Sequence, residues 1–282
     1  MFTTIFKNKQ LWVMMFVITF YYLGSALLNA FGLNYFIFAY GYQLGGANMF
    51  LFTVAYAVGT IIPQALYALI AKRFTRSQIL NASFITMIVG YLIIFSYGML
   101  HAFNVLADLN IYLLSGIGVF VFAAQGLFYM VLLVMVTNTI EYNQWTTGER
   151  KESVIFAARP FAAKMSSSLQ TLIVFLILTI GGIYAITGDI SQLEIDKELG
   201  TYTSAEVITL ADAAIANAGN PQLVLTAILF GMTILPVLLF IVSYVLIRKK
   251  FFITEKAYAR ICLDIEEGNI GNHTLEELKH IA

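Results

Sequence analysis

The sequence predicts an all-α membrane protein of six transmembrane helices, and three observations carry that prediction. Apolar residues make up 60% of the 282-residue chain and Lys, Arg, Asp and Glu only 11%, against about 25% charged in an ordinary soluble domain. Three stretches stay free of charge for longer than a bilayer demands: residues 49–71 over 23 positions, 111–140 over 30 and 223–247 over 25. A helix needs about 20 residues to cross a hydrocarbon core of about 30 Å. Third, thirteen of the sixteen Lys and Arg residues fall on alternate connections between apolar runs.

The elements follow in order. Residues 1–10 form a short basic lead. The spans cover about 11–40, 49–71, 79–100, 111–140, 154–186 and 221–247, joined by short loops into one bundle. The first span is too long, and too rich in Tyr and Asn, for a cleaved signal peptide, whose apolar region runs about 7–15 residues. Pro63 and Pro236 sit inside spans, where the missing N–H and the ring bend a helix. Gly24, Gly32, Gly59, Gly90, Gly116, Gly118 and Gly126 offer small surfaces where helices approach closely. Residues 187–220 form a long loop with six acidic side chains. Within it "SAEVITLADAAIANAG" reads as a short helix, with Ser204 as N-cap and Gly219 as stop. The polar tail 248–282 reads as helical, and its Thr274–Glu277 sequence fits a capping box.

Basic residues set the orientation. Lys7, Lys9, the loop "KRFTRSQ", Arg150, Lys151 and the tail lie on one side, and Lys197 alone on the other. Both termini are therefore expected in the cytoplasm of a cell whose plasma membrane the chain crosses several times. Zero net charge gives no reason to expect nucleic acid as a partner. A single Cys262 leaves no internal disulfide, and His101, His273 and His280 are too scattered for a metal site. No phosphate-cradling glycine loop or Ser-His-Asp arrangement stands out, so neither an enzyme nor a resident cofactor is expected.

The densest polar signal is "EYNQWTTGERKESVIFAARPFAAK", residues 141–164, where seven charges fall in 24 positions. Its middle is a polar turn pivoting on Gly148. Its end is harder to place. If the fifth helix starts near Ser153, Lys164 lies about 16 Å in, where an unpaired ammonium costs about 3 kcal/mol or more. If it starts at Pro160, a favourable first-turn residue, Lys164 reaches the interface by snorkelling. Arg159 fits either geometry. The other spans contribute amides and phenols, among them Asn29, Tyr35, Gln125 and Tyr129. Such groups donate and accept without a net charge, which suits a polyhydroxylated solute, although a tyrosine near a span end more often belongs to the interfacial belt. No acidic residue lies mid-span in the first four spans, so a cation site built wholly from this chain is not expected.

Residues 138–170, "NTIEYNQWTTGERKESVIFAARPFAAKMSSSLQ", resemble the signature between helices ten and eleven of the glycoside–pentoside–hexuronide:cation symporters. This branch of the major facilitator superfamily includes the melibiose carrier. Its pattern is an acidic-Tyr pair, a polar turn with a basic residue and then Glu, and a Lys about a dozen residues on. Glu141-Tyr142, Arg150, Glu152 and Lys164 match it in order and spacing. "FKNKQLW" and "FFITEKAYARICLDIEE" resemble the flanks of the same half. Asn138 departs from the melibiose carrier, which is acidic there, and the loop 187–220 is longer than usual.

The resemblance implies the C-terminal six-helix half of a twelve-helix carrier, made of two inverted three-helix repeats, with solute bound between the halves. It implies alternating access, a sugar or glycoside as solute and a co-transported sodium ion or proton. Lys164 would face the central cavity with Gln125, Tyr129, Asn29 and Tyr35 as further solute contacts. Glu141, Tyr142, Arg150, Glu152 and Arg159 would form a gating charge network. The carrier would be incomplete without an N-terminal half. The residues alone also admit a non-transporting six-helix sensor or scaffold, or an inactive gene fragment.

Overall fold

The computed structural model describes residues 8–217, 219–271 and 273–281, with Val154 described by its backbone alone, and all regular structure among them is helical. Of the sequence-predicted lead, residues 1–7, Lys7 included, lie outside the described residues. Six helices are long and apolar enough to cross a membrane. They are α1 (Lys9–Tyr40), α2 (Tyr42–Ala71), α3 (Arg76–Ala102), α4 (Ile111–Thr147), α5 (Glu152–Ile180) and a composite sixth. The sixth joins α8 (Pro221–Leu229) through a π turn (Phe230–Ile234) to α9 (Leu235–Lys250). Between α5 and α8 lie two shorter helices, α6 (Ile183–Glu198) and α7 (Ser204–Ala216), and the tail forms α10 (Glu255–Glu266) and α11 (Leu275–Ile281).

Local chemistry fixes the helix ends. Asn8, Thr75 and Asn110 cap α1, α3 and α4 by accepting from backbone N–H groups of the first turn, which relieves donors that have no partner within the helix. Gly148 ends α4 at φ 74°, a left-handed conformation that costs glycine little. The turn between α1 and α2 is a single residue, Gly41 at φ 82°. Several boundaries differ from the sequence reading: α2 starts at Tyr42 instead of near residue 49, and α4 runs on past residue 140 to Thr147. The fifth span breaks at Gly181–Gly182, with Gly182 left-handed, so its last residues belong to α6. In α7 the cap is Thr203, paired with Glu206 in a capping box, and the helix ends at Ala216 instead of running to Gly219.

The core lies along α1 and α4. α1 packs against α2, α5 and α9, while α4 packs against α2, α3 and α10. Phe31, Phe36, Phe52, Phe122, Phe128 and Phe240 are fully buried there, each removing about 150–250 Å² of aromatic surface from lipid or water. A close approach of α2 to α4 depends on Gly59, where a Cβ would sit 2.8 Å from the Val119 carbonyl oxygen. Hydroxyl groups stitch the helices together. Ser166 on α5 donates to the Thr19 carbonyl (2.8 Å) and Ser243 on α9 to the Val17 carbonyl (3.0 Å).

Burial divides the helices unevenly. The most apolar stretch of α2, and that of α5, is only 17% buried, against 61% for α1. In the first half of α5 the buried positions Ile155, Ala158, Ala162 and Ser166 follow helical spacing on one face. The opposite face carries Lys164, Ser167, Ser168 and Thr171, all exposed.

The α6–α7 hairpin lies at the end of the bundle away from both termini. It is pinned by Asp212, whose Oδ1 accepts from the Tyr42 N–H at 2.7 Å, at the start of α2. At the other, basic end, the tail turns back onto α4.

Candidate functional site

At the basic end, Arg150 occupies the four-residue turn between α4 and α5 and draws the flanking carboxylates together. Its guanidinium bonds Glu152 through Nε, Glu141 through Nη2 at 3.2 Å and the Gln144 amide oxygen through Nη1 at 3.3 Å. Lys151 pairs with Glu149 beside it. The bond to Glu152, with the nearby charge of Glu141, raises the Arg150 guanidinium further above its ordinary range, so it stays cationic. Arg150 and Glu152 are about half exposed and Glu141 less so. Exposed pairs of this kind contribute about 0–1 kcal/mol each, so the network holds a conformation without locking it.

Two residues grouped with that network by sequence stand elsewhere. Tyr142 is buried and turned inward, its ring 6.3 Å from that of Trp145. Arg159, one full helical turn beyond Ile155, reaches α1 instead: its Nε donates to the Tyr22 hydroxyl at 3.1 Å and its guanidinium lies 5.5 Å from the Tyr129 ring centre. The Tyr22 and Tyr129 hydroxyls meet at 2.9 Å. The three form a polar cluster where α1, α4 and α5 converge, with the cation over an aromatic face, an arrangement worth about 0.5–1 kcal/mol when exposed.

Lys164 is settled by the start of α5. The helix begins at Glu152 and contains Pro160, which places Lys164 twelve residues, or about 18 Å, along it. The alternative start at Pro160 is thereby excluded. Lys164 projects from the face opposite the α1 contact, and among the described residues no carboxylate lies within ion-pair distance of it. Ser167, Ser168 and Thr171 continue the same face toward the hairpin end.

The other solute-contact candidates are spread across the bundle. Tyr129 belongs to the cluster just described. Asn29 is half-buried on α1. Gln125 is buried, its side chain 3.4 Å from the Tyr91 hydroxyl and its carbonyl accepting from Tyr21 at 2.9 Å. Tyr35 is 1% exposed and packs edge-on against Phe36. Both lie inside the bundle rather than on the exposed face of α5. Asn34 instead lines a cavity of about 730 Å³ beneath the α6–α7 hairpin, with Gln43 and Glu194.

Sequence reading missed how the tail joins this end. Trp145 stacks on His273 with ring centres 4.2 Å apart, and its indole donates to Asp264. Tyr258 lies on α10, which packs against α4, and its hydroxyl is pushed up to about 12 by burial and then by the neighbouring Glu141 carboxylate. Asn138, with its amide turned so that the oxygen meets Arg76 at 2.7 Å, occupies a neutral position between α3 and α4. The only signal in the chain was a tryptophan at the polar end of a span, whose N–H needs a partner.

Comparison with known proteins adds an independent line. Residues 1–255 match the family model described as MFS/sugar transport protein. A lactose permease from Lactobacillus delbrueckii subsp. bulgaricus is 28% identical over 92% of the chain. A raffinose carrier protein from Pediococcus pentosaceus is 22% identical, and a lactose permease from Leuconostoc lactis 26% identical, each over 94% of the chain. The matched region covers 35% of the length of each relative.

Proposed function

The chain belongs to the MFS/sugar transport protein family, whose members are transport proteins and not enzymes, and from that premise we propose that it forms the C-terminal six-helix half of a cation-coupled sugar symporter. The solute is a sugar or glycoside of the kind for which its relatives are named. It binds between this half and an N-terminal half, and sodium or a proton drives its uptake by alternating access. The basic end is cytoplasmic, in keeping with the positive-inside rule, and the membrane is the plasma membrane.

Lys164 is the observation that carries this reading. An ammonium about 18 Å along a membrane helix, turned away from its own bundle, costs about 3 kcal/mol or more unless a carboxylate or water meets it. The weakly buried faces of α2 and α5 are where a second half would supply that partner. Ser167, Ser168 and Thr171 add hydroxyls that exchange hydrogen bonds with a sugar. The Arg159, Tyr22 and Tyr129 cluster adds a fixed donor and two phenols near the basic end of the same helix. Glu141, Arg150 and Glu152 form a gate at the cytoplasmic end, made of exposed pairs weak enough to break and reform in each cycle.

Co-expression tests the proposal. The chain is produced with a separate N-terminal six-helix half from one of its relatives, and uptake of radiolabelled lactose or raffinose is measured. Accumulation that requires both halves supports it. Equal accumulation by the chain alone, or none from a co-purifying pair, counts against it.

A further inference from the structure

The basic loop "KRFTRSQ" and the first residues of the tail serve orientation in the sequence, but in the fold they enclose a site. At the basic end a cavity of about 340 Å³ opens between the start of α3, the end of α9 and the start of α10. Its polar rim carries Arg76, Arg248 and Lys256 against a single carboxylate, Glu255. Arg76 is already engaged: its backbone N–H donates to Glu255 at 2.7 Å and its Nη2 to the Ile253 carbonyl at 2.5 Å. Glu255 is thus directed at α3. Among the described residues, Arg248 makes one side-chain hydrogen bond, to the Ser77 hydroxyl at 3.3 Å, and no carboxylate lies within ion-pair distance of Arg248 or Lys256. The inner wall is apolar, formed by Leu80, Met135, Ile247 and Phe251.

We propose that this cavity binds the phosphate of an anionic glycerophospholipid. Two uncompensated cations supply the charge complement, and a basic pocket between membrane helices is the geometry that recognises such head groups. The position selects a lipid over a dissolved anion. The cavity sits where the uncharged run of α9 gives way to Arg248, Lys249 and Lys250. Below it, exposed apolar side chains of α3 and α9, Ile85, Val89, Ile241 and Val245, offer acyl chains a surface. Phe84 and Tyr244, stacked at 4.0 Å, and the Tyr244 hydroxyl bond to Asn81 hold α3 and α9 together beneath the head group. The inference is independent of which solute is carried.

The test is a titration of the full chain, purified in detergent, with phosphatidylglycerol bearing a fluorescent acyl chain. Unlabelled phosphatidylglycerol, phosphatidylcholine and inorganic phosphate serve as competitors. Only unlabelled phosphatidylglycerol is expected to displace the probe. Arg248→Gln with Lys256→Gln should weaken binding about tenfold or more, while Lys249→Gln with Lys279→Gln leaves it within about twofold. Both cavity residues are exposed, and the single Lys256→Gln variant, expected to lose about half the effect on a logarithmic scale, covers a misfolded double variant. Unchanged affinity in the cavity variants overturns the proposal, as does equal displacement by phosphatidylcholine. Displacement by inorganic phosphate would reassign the site to a soluble anion.

Discussion

The indole Nε1 of Trp145 donates to Asp264 Oδ2 at 2.9 Å, and this bond joins the last turn of the longest membrane helix to the tail helix α10. Trp145 is 1% exposed and Asp264 3%. The Arg260 guanidinium lies within ion-pair distance of the second carboxylate oxygen, at 2.9 Å, and the Gly271 N–H donates to the Trp145 carbonyl at 2.9 Å. The tail is therefore part of the folded bundle at the end that carries the charge network. At 37 residues, α4 is about 55 Å long, well beyond the roughly 30 Å that a bilayer core needs, so its last turns are available for the tail to grip.

Replacing Trp145 by Phe keeps an aromatic ring but removes the indole N–H, so the Asp264 oxygen loses its donor. A hydrogen bond to a charged group contributes about 1.5–3 kcal/mol, so α10 and α11 are expected to open more often by that amount. Amide exchange across residues 255–281 measures it, with faster exchange there and unchanged exchange in α1 as the expected pattern.

Asp212 plays the equivalent part for the hairpin. In Asp212→Ala, the Tyr42 N–H loses its acceptor, which costs about 1–3 kcal/mol of local stability. Limited proteolysis is expected to cut within residues 199–203 or 217–220 sooner than in the parent chain, leaving the long helices intact.

Two glycines separate packing from propensity. Gly59→Ala drives a methyl toward the Val119 carbonyl and should cost about 1–3 kcal/mol through forced separation of α2 from α4. Gly116→Ala meets nothing within 4 Å and should be neutral or stabilising by up to about 1 kcal/mol, because alanine favours a helix. Thermal unfolding in detergent distinguishes the two.

The start of α7 carries a pH signature. Glu206 accepts from the Thr203 N–H and hydroxyl, which holds its carboxyl below the ordinary range. A depressed folded pKa means the contribution is complete above the unfolded value and is lost as pH falls through the folded one. Protection of the amides in the first turn of α7, measured relative to their intrinsic exchange rate at each pH, should fall on acidification below about pH 4, and Glu206→Gln should show the lower protection already at neutral pH.

Uncharged length and the distribution of basic residues made the helical class and the six apolar spans legible, because both are local properties of the chain. The start of α5 was not, because Pro160 suits a first turn and is also tolerated within a helix. What decides is the run of Ile155, Ala158 and Ala162 against α1, a tertiary contact. The α5–α6 break was written in Gly181–Gly182, inside an apolar run that masked it. Arg159 is close to Glu141 in sequence, yet helical geometry carries it to Tyr22 and Tyr129. Gln125 and Tyr35 have the chemistry of a solute contact, but the sequence does not show which way they point. Their burial depends on which side of α4 and α1 faces the core, and helices apolar nearly all round do not announce that. The grip of Trp145 on Asp264 spans 119 residues and leaves no periodic trace.

In the proposed carrier, Lys164 faces a cavity shared with a second half. Lys164→Ala, introduced into the chain joined to an N-terminal six-helix half, tests it most directly through initial rates of sugar uptake in cells, with membrane expression measured in parallel. Expression equal to the parent and uptake reduced to the background of cells lacking the carrier are the expected result. Near-normal uptake by the Lys164→Ala carrier would contradict it.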